Sequence, residues 1–181
     1  MALLLYSEQQ NLKPISPNWA NSVKIQGGKT NFVQLEEEIE NGWLKTLLGA
    51  AFLYWVQQNP TVLEVISLLG GAVFKDCDNN DIEFRGLKYQ IAFMVYAKYI
   101  DVSDQADTFT GLVRQNREEA NPLSEGAIKR GKRDAESLVM QDFEIMKVFI
   151  SQNAALYPLW SNGKTRDIFV PKLTTIRKTY N

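Results

Sequence analysis

Three carboxylates, Asp101, Asp104 and Asp107, recur at intervals of three after a long apolar segment and come nearest to a catalytic set in this sequence. Clustered acids of this kind can hold a divalent ion or share acid and base roles. That chemistry is a small metal-dependent phosphodiesterase, nuclease or other hydrolase. Spacing alone does not distinguish such a set from a solvated turn. A second group, Lys129, Arg130, Lys132 and Arg133, has the charge to meet phosphate or an acidic neighbour, as a helical DNA-binding regulator would. Glu125, Asp134 and Glu136 partly balance it, as on an ordinary solvated helix face.

Two further motifs fail on inspection. Gly27-Gly28-Lys29-Thr30 echoes the end of a phosphate-binding loop, but Val23 stands where the first glycine belongs, and a turn into a helix accounts for it. Asp76, Asp78 and Asn80 imitate the opening of a calcium loop, yet Asp81 replaces its glycine and Leu87 its bidentate glutamate. A hairpin turn is the expected structure there, with Cys77 incidental to it. The chain contains no histidine, which removes the commonest general base and metal ligand and every Ser-His or Cys-His mechanism. With a single cysteine no internal disulfide can form, as in a protein made in a reducing compartment. No cofactor is expected.

The elements that position these residues read as mainly α-helical. The 181 residues are 45% hydrophobic and 23% charged, enough for one globular domain with a real core. The net charge of −1 does not suit a dedicated nucleic-acid coat. The longest apolar run, Leu47 to Val56, is ten residues, short of the roughly 20 that cross a bilayer. The start MALLLYS lacks the basic flank and length of a secretory signal. A soluble protein without a membrane partner is expected.

The central element is Phe84 to Ile100. At helical spacing Leu87, Ile91, Met94 and Val95 form one stripe, and Tyr89, Phe93, Tyr96 and Ile100 another. A helix apolar on most sides must be packed between other elements. Residues 1–30, with Pro14, Pro17, Gly27 and Gly28, are expected to form an extended N-terminal arm, followed by a helical domain over 31–160. Asn31 and Gln34 fit a capping-box variant, opening a helix that should end near Asn41 and Gly42. The run Glu36, Glu37, Glu38 and Glu40 on that helix reads as a solvated face, with Glu36 and Glu37 as partner-binding candidates. Further helices are expected from Trp43 to Asn59, broken at Gly49, and from Thr61 to Leu69. A β-hairpin near 72–85 should deliver the chain into the central helix. Phe109 to Val113 could pair briefly as a strand. Asn121 and Pro122 should open the longest helix, running to about Asn153 on a stripe of Ile128, Ala135, Leu138, Val139, Asp142, Met146, Phe149 and Ile150.

Residues 161–181 differ in kind. Five basic residues (Lys164, Arg166, Lys172, Arg177, Lys178) face Asp167 alone, a net of +4 that leaves −5 on residues 1–160. Their apolar residues, among them Phe169, Leu173, Ile176 and Tyr180, are too many for a free linker. They mark an extended C-terminal docking tail. An acidic body with a basic tail suits copies joined head to tail.

The segments YQIAFMVYAKYI, DTFTGLVRQN, the long helix and NAALYPLW occur in an order that resembles the head-to-tail connector, or adaptor, proteins of tailed bacteriophages, of the type found in Bacteroidetes and crAss-like phages. The matching positions are Gly86 to Lys88, Tyr96 to Ile100, Thr108 to Val113 and Tyr157 to Trp160, within a resemblance covering about residues 32–160. It implies a mainly helical virion subunit without catalysis, made in the host cytoplasm. It also implies assembly at the neck as a ring, commonly of twelve copies, joining the portal to further neck or tail proteins around the channel that genomic DNA passes through. On that reading Lys129, Arg130, Arg133, Glu36, Glu37 and the four tail residues are the partner-binding candidates.

Overall fold

The structure, a computed structural model, describes residues 3–22, 29–76, 78–102, 105–108, 111–114 and 125–160. Helices dominate, with small antiparallel hairpins between them, as expected for a mainly α bundle.

The N-terminal segment departs from the extended arm read in the sequence. Two short helices, α1 (Tyr6–Leu12) and α2 (Pro17–Asn21), fold it onto the body. Leu3, Leu4, Ile15 and Ala20 are buried, and Trp19 packs edge-on to Tyr99 at 4.9 Å. The prolines punctuate rather than extend: Pro17 takes the first helical position, where its missing N–H costs nothing. Glu8 caps α1 by accepting from the Leu5 N–H at 2.8 Å. Enough apolar surface is buried here to offset the ordering of short helices that would not hold alone.

Helix α3 (Asn31–Glu38) begins at Thr30, whose Oγ1 accepts from the Val33 N–H, while Asn31 turns its amide to the Trp19 carbonyl. The expected stop near Asn41 and Gly42 is absent. The chain passes through a π-helical stretch, Ile39–Leu44, into α4 (Lys45–Leu48). Ile39, Leu44 and Leu48 continue the buried stripe begun by Phe32 and Leu35, and that burial outweighs the cost of about 1 kcal/mol for a helical glycine. The real break is Gly49, at φ 80°, after which come α5 (Ala50–Gln58) and α6 (Leu63–Gly70).

Strands β1 (Ala72–Lys75) and β2 (Asp81–Phe84) pair antiparallel, Ala72 opposite Phe84. The Asp/Asn cluster is their turn. Asp76 Oδ1 accepts from the Asp78 and Asn80 N–H groups, and these bonds, Asn80's foremost, hold its carboxyl below the usual range. The chain then enters α7 (Leu87–Val102) through Gly86. Strands β3 (Gln105–Thr108) and β4 (Gly111–Arg114) pair antiparallel; of the strand expected at Phe109 to Val113, Gly111 to Val113 lie in β4, while Phe109 and Thr110 fall outside the described residues. Helix α8 (Glu125–Gln152) spans about 42 Å at 1.5 Å per residue. Its expected opening, Asn121 and Pro122, lies outside the described residues, as do Cys77 and the tail 161–181.

Helix α7 is sealed. From Leu87 to Ala97 no residue is exposed. At about 100° per residue, Gln90, Ala97 and Asp101 share one side of it and Lys88, Ala92 and Tyr99 the other. On the first side lies α8: Gln90 Nε2 donates to Asp142 at 2.9 Å, and Lys132 pairs with Asp101. On the second lie α1 and α2: Gln9 Nε2 donates to the Ala92 carbonyl at 3.1 Å, and Lys88 pairs with Glu8. Helix α3 joins this second layer through Tyr6 against Phe32.

The strand-to-helix corner allows no side chain. Gly86 has φ 93°, and a Cβ there would stand 2.5 Å from both the Gly71 nitrogen and the Leu69 carbonyl oxygen. Gly86→Ala is expected to destabilise the fold by about 2–4 kcal/mol, read as a lower denaturation midpoint in urea; an unchanged midpoint would refute this account of the corner.

Candidate interaction surfaces

Of the residues that the sequence offered for chemistry, those within the described segments take structural places. Asp101, at the end of α7, is held by Lys132, and hydrogen bonding to that carboxylate raises the lysine's pKa. Asp104 lies outside the described residues, and Asp107 belongs to β3. Among the described residues, no three acids or thiols come together as a metal site. Of the basic cluster, Lys132 turns inward to Asp101, while Lys129, Arg130 and Arg133 are exposed on α8.

The acidic run on α3 divides. Glu37 sits at the surface, paired with Lys29 at 2.6 Å, and Glu38 is exposed; a groove of about 350 Å³ runs between Gln34, Glu37, Glu38 and Asn41. Glu36 and Glu40, expected on the same solvated face, are buried. Glu36 is thus removed from the partner-binding candidates. Its Oε1 accepts from the Leu3 N–H at 3.1 Å, and Glu40 accepts from the same N–H at 2.6 Å and from Gln57 Nε2 at 2.8 Å. The N-terminal segment offered backbone donors that the acids satisfy, and a helix with only apolar residues at these positions would leave those donors orphaned. Burial first, and then the neighbouring Glu40 carboxyl, push Glu36 up to about 8, so Glu36 keeps its proton at neutral pH.

Asp142 plays the matching part on the other side of α7. It is buried among apolar residues and accepts from Gln90 Nε2 and, at 3.3 Å, from the Arg85 N–H. Burial raises its pKa against the pull of those donors. Leu138, expected on the inner stripe, is partly exposed, and Phe143 takes the core position instead. The cause is the register of α8: Val139 and Phe143 face inward four residues apart, leaving Leu138 at the edge.

The end of the long helix closes on an aromatic hub. Tyr157 packs edge-on to Phe52 and Trp55, Trp160 packs on Phe52 at 5.3 Å, and Phe149 stacks on Phe84. The Tyr157 hydroxyl donates to the Glu64 carbonyl at 2.9 Å, and burial lifts its pKa to about 12. Large apolar side chains that sequence reading missed as surface are exposed on α5, α6 and the segment after α8: Tyr54, Leu63, Ile66, Leu156 and Leu159. One signal was available. In the eight residues LEVISLLG of α6, Val65, Leu68 and Leu69 suffice for a buried stripe, so Leu63 and Ile66 are surplus. The tail candidates Phe169, Leu173, Ile176 and Tyr180 lie outside the described residues.

These features define a helical body whose buried polar groups lock packing and whose distinctive residues lie on outer faces. Among the described residues, no helix is long and apolar enough to cross a membrane. Residues 44–170 match the family of unknown function designated DUF6712, and the chain belongs to that family. No curated protein and no solved structure matches the chain.

The buried acid pair gives a pH dependence of definite sign. Glu36 has a folded-state pKa raised above its unfolded value, so its contribution is fully present below about pH 4.5 and is lost as pH rises through about 8. The folding constant is expected to fall at least about tenfold between pH 5 and pH 9. Glu36→Gln, which mimics the protonated acid, should flatten the dependence. Chemical denaturation at both pH values measures this, and equal slopes for the two proteins would refute the protonated state of Glu36.

Proposed function

We propose that this protein is a structural ring component of a phage neck, joining the portal to the neck or tail and surrounding the channel for genomic DNA. The observation that carries the reading is the layering about α7. With α8 on one side and α1, α2 and α3 on the other, the outward faces of α8 and α3 point away from each other. The first presents Arg130 and Arg133 beside Asp134, and the second Glu38 together with Glu37, which is paired with Lys29. Opposite charges on opposite faces are self-complementary only when copies repeat head to tail, and such heterologous contacts close into rings when the rotation allows. The resemblance of residues 32–160 to phage connector proteins supports the same reading. The lock of Lys132 on Asp101 and the inward turn of that lysine weigh against a hydrolase at Asp101, Asp104 and Asp107, and against a DNA-binding helix face using Lys129 to Arg133.

Electron microscopy of the purified chain, alone and mixed with a candidate portal protein, is expected to show rings coaxial with the portal. A chain that stays monomeric in both preparations would overturn the proposal. Arg130→Glu together with Arg133→Glu should weaken assembly about tenfold, chiefly at low salt, because each exposed pair contributes only up to about 1 kcal/mol and is screened. Sedimentation at two ionic strengths reads the difference; identical profiles for variant and parent would remove the electrostatic contact.

A further inference from the structure

The two covers of α7 are built differently. Helix α8 is continuous over 28 residues and keeps Val139, Met146 and Ile150 fully from water. The opposite cover begins with α1 and α2, helices of seven and five residues that are too short to hold by themselves. Among the described residues, four buried side-chain atoms have no hydrogen-bond partner in the protein, and three of them, Tyr6 Oη, Gln9 Oε1 and Asn31 Oδ1, lie in this cover. Hydrated in place or left unpaired, each gains from reaching bulk water, so this cover is held less firmly than its burial suggests. Its grip on α7 is also made of contacts that are weak singly: Lys13 Nζ lies 4.4 Å from the Tyr96 ring centre and 5.2 Å from that of Phe93, and Trp19 meets Tyr99 edge-on.

The start of this segment is held by the buried acids. Leu3 and Leu4 direct N–H groups to Glu36, and Leu3 to Glu40 as well. Glu36 thus meets those amides and the Glu40 carboxyl, with the uncharged Gln57 of α5 on Glu40. The titratable groups of the segment turn elsewhere, Tyr6 to Phe32, Glu8 to Lys88 of α7 and Lys13 to the rings, while on α7 Asp101 turns to Lys132 and Lys98 is exposed. Burial pushes Glu36 up to about 8, and lifting the segment would return that carboxyl to water. Closure is therefore fully supported below about pH 4.5 and weakens as pH rises through about 8. We propose that residues 3–22 form a strap that lifts off α7 as a unit while α7 and α8 stay folded, with the Glu36 and Glu40 pair setting how tightly it closes. Lifting uncovers Phe93, Tyr96 and Tyr99. It needs no second copy, so it stands apart from the ring reading.

Hydrogen–deuterium exchange of the full-length protein at about pH 6 and pH 9, with rates corrected for the chemical effect of pH, tests it. At the lower pH the bonded amides of Gln9, Lys13 and Ala20 should exchange at least about tenfold faster than those of Val139 to Ile150, and at the higher pH the gap should widen about tenfold. Glu36→Gln should remove the widening. Tyr6→Phe, which keeps the ring on Phe32 and loses the buried hydroxyl, should narrow the gap at the lower pH about fivefold. Exchange of the segment in step with α8 at both pH values overturns the inference, as does a widening that survives Glu36→Gln or a gap that Tyr6→Phe leaves unchanged.

Discussion

The whole body depends on α7 having no exposed residue from Leu87 to Ala97. A helix that is apolar all round cannot be satisfied by one neighbour, so the chain must lay structure on two sides of it. Helix α8 covers one side, and the N-terminal helices with α3 cover the other. Everything else follows from that sandwich: the long span of α8, the folding of residues 3–22 onto the body, and the separation of the outer faces. Removing either layer would expose Ile91, Val95 or their opposite numbers to water, at a cost of about 1.5–3 kcal/mol for each large side chain.

Apolar packing alone would allow these layers to slide, and a few buried polar groups fix their register. Asp142 ties α8 to both Gln90 and the backbone at Arg85, so helix and hairpin exit are held at one point. On the opposite side Gln9 reaches the Ala92 carbonyl, and Glu36 with Glu40 receives the backbone of Leu3 and Leu4. Such groups add little net stability but are costly to leave unpaired, which makes one alignment far better than its neighbours. In this protein, perturbed acid pKa values therefore report architecture. Glu36 and Asp142 are shifted because they are buried as locks, and both lie beneath the surface rather than in a cleft.

The outer surface has a different logic. A basic turn on α8, an acidic groove on α3 and exposed apolar side chains on α5 and α6 are each unremarkable alone. Together they give three faces with different chemistry on a body with a rigid centre. Of these, the α8 and α3 faces are the ones on which the proposed head-to-tail contacts rest.

Much of this was legible in the residues themselves. The central helix, the hairpin with its Asp76 turn, the break at Gly49 and the close of the long helix near Asn153 all follow from periodicity and turn chemistry, which act over a few residues. The errors share one cause. Glu36 and Glu40 read as solvated because charge predicts exposure, and Pro14 and Pro17 read as an arm because proline interrupts helices; nothing local says that the two segments meet. Only tertiary structure brings the Leu3 and Leu4 amides to the Glu36 carboxylate and makes each burial permissible. In the same way Leu63 and Ile66 look like core until α6 is seen to need only one stripe. The sequence alone determined that α7 must be enclosed, since its apolar residues leave no side for water. Which elements enclose it, and which faces remain outward, was decided by long-range packing, where burial energy is summed over contacts that no local pattern contains.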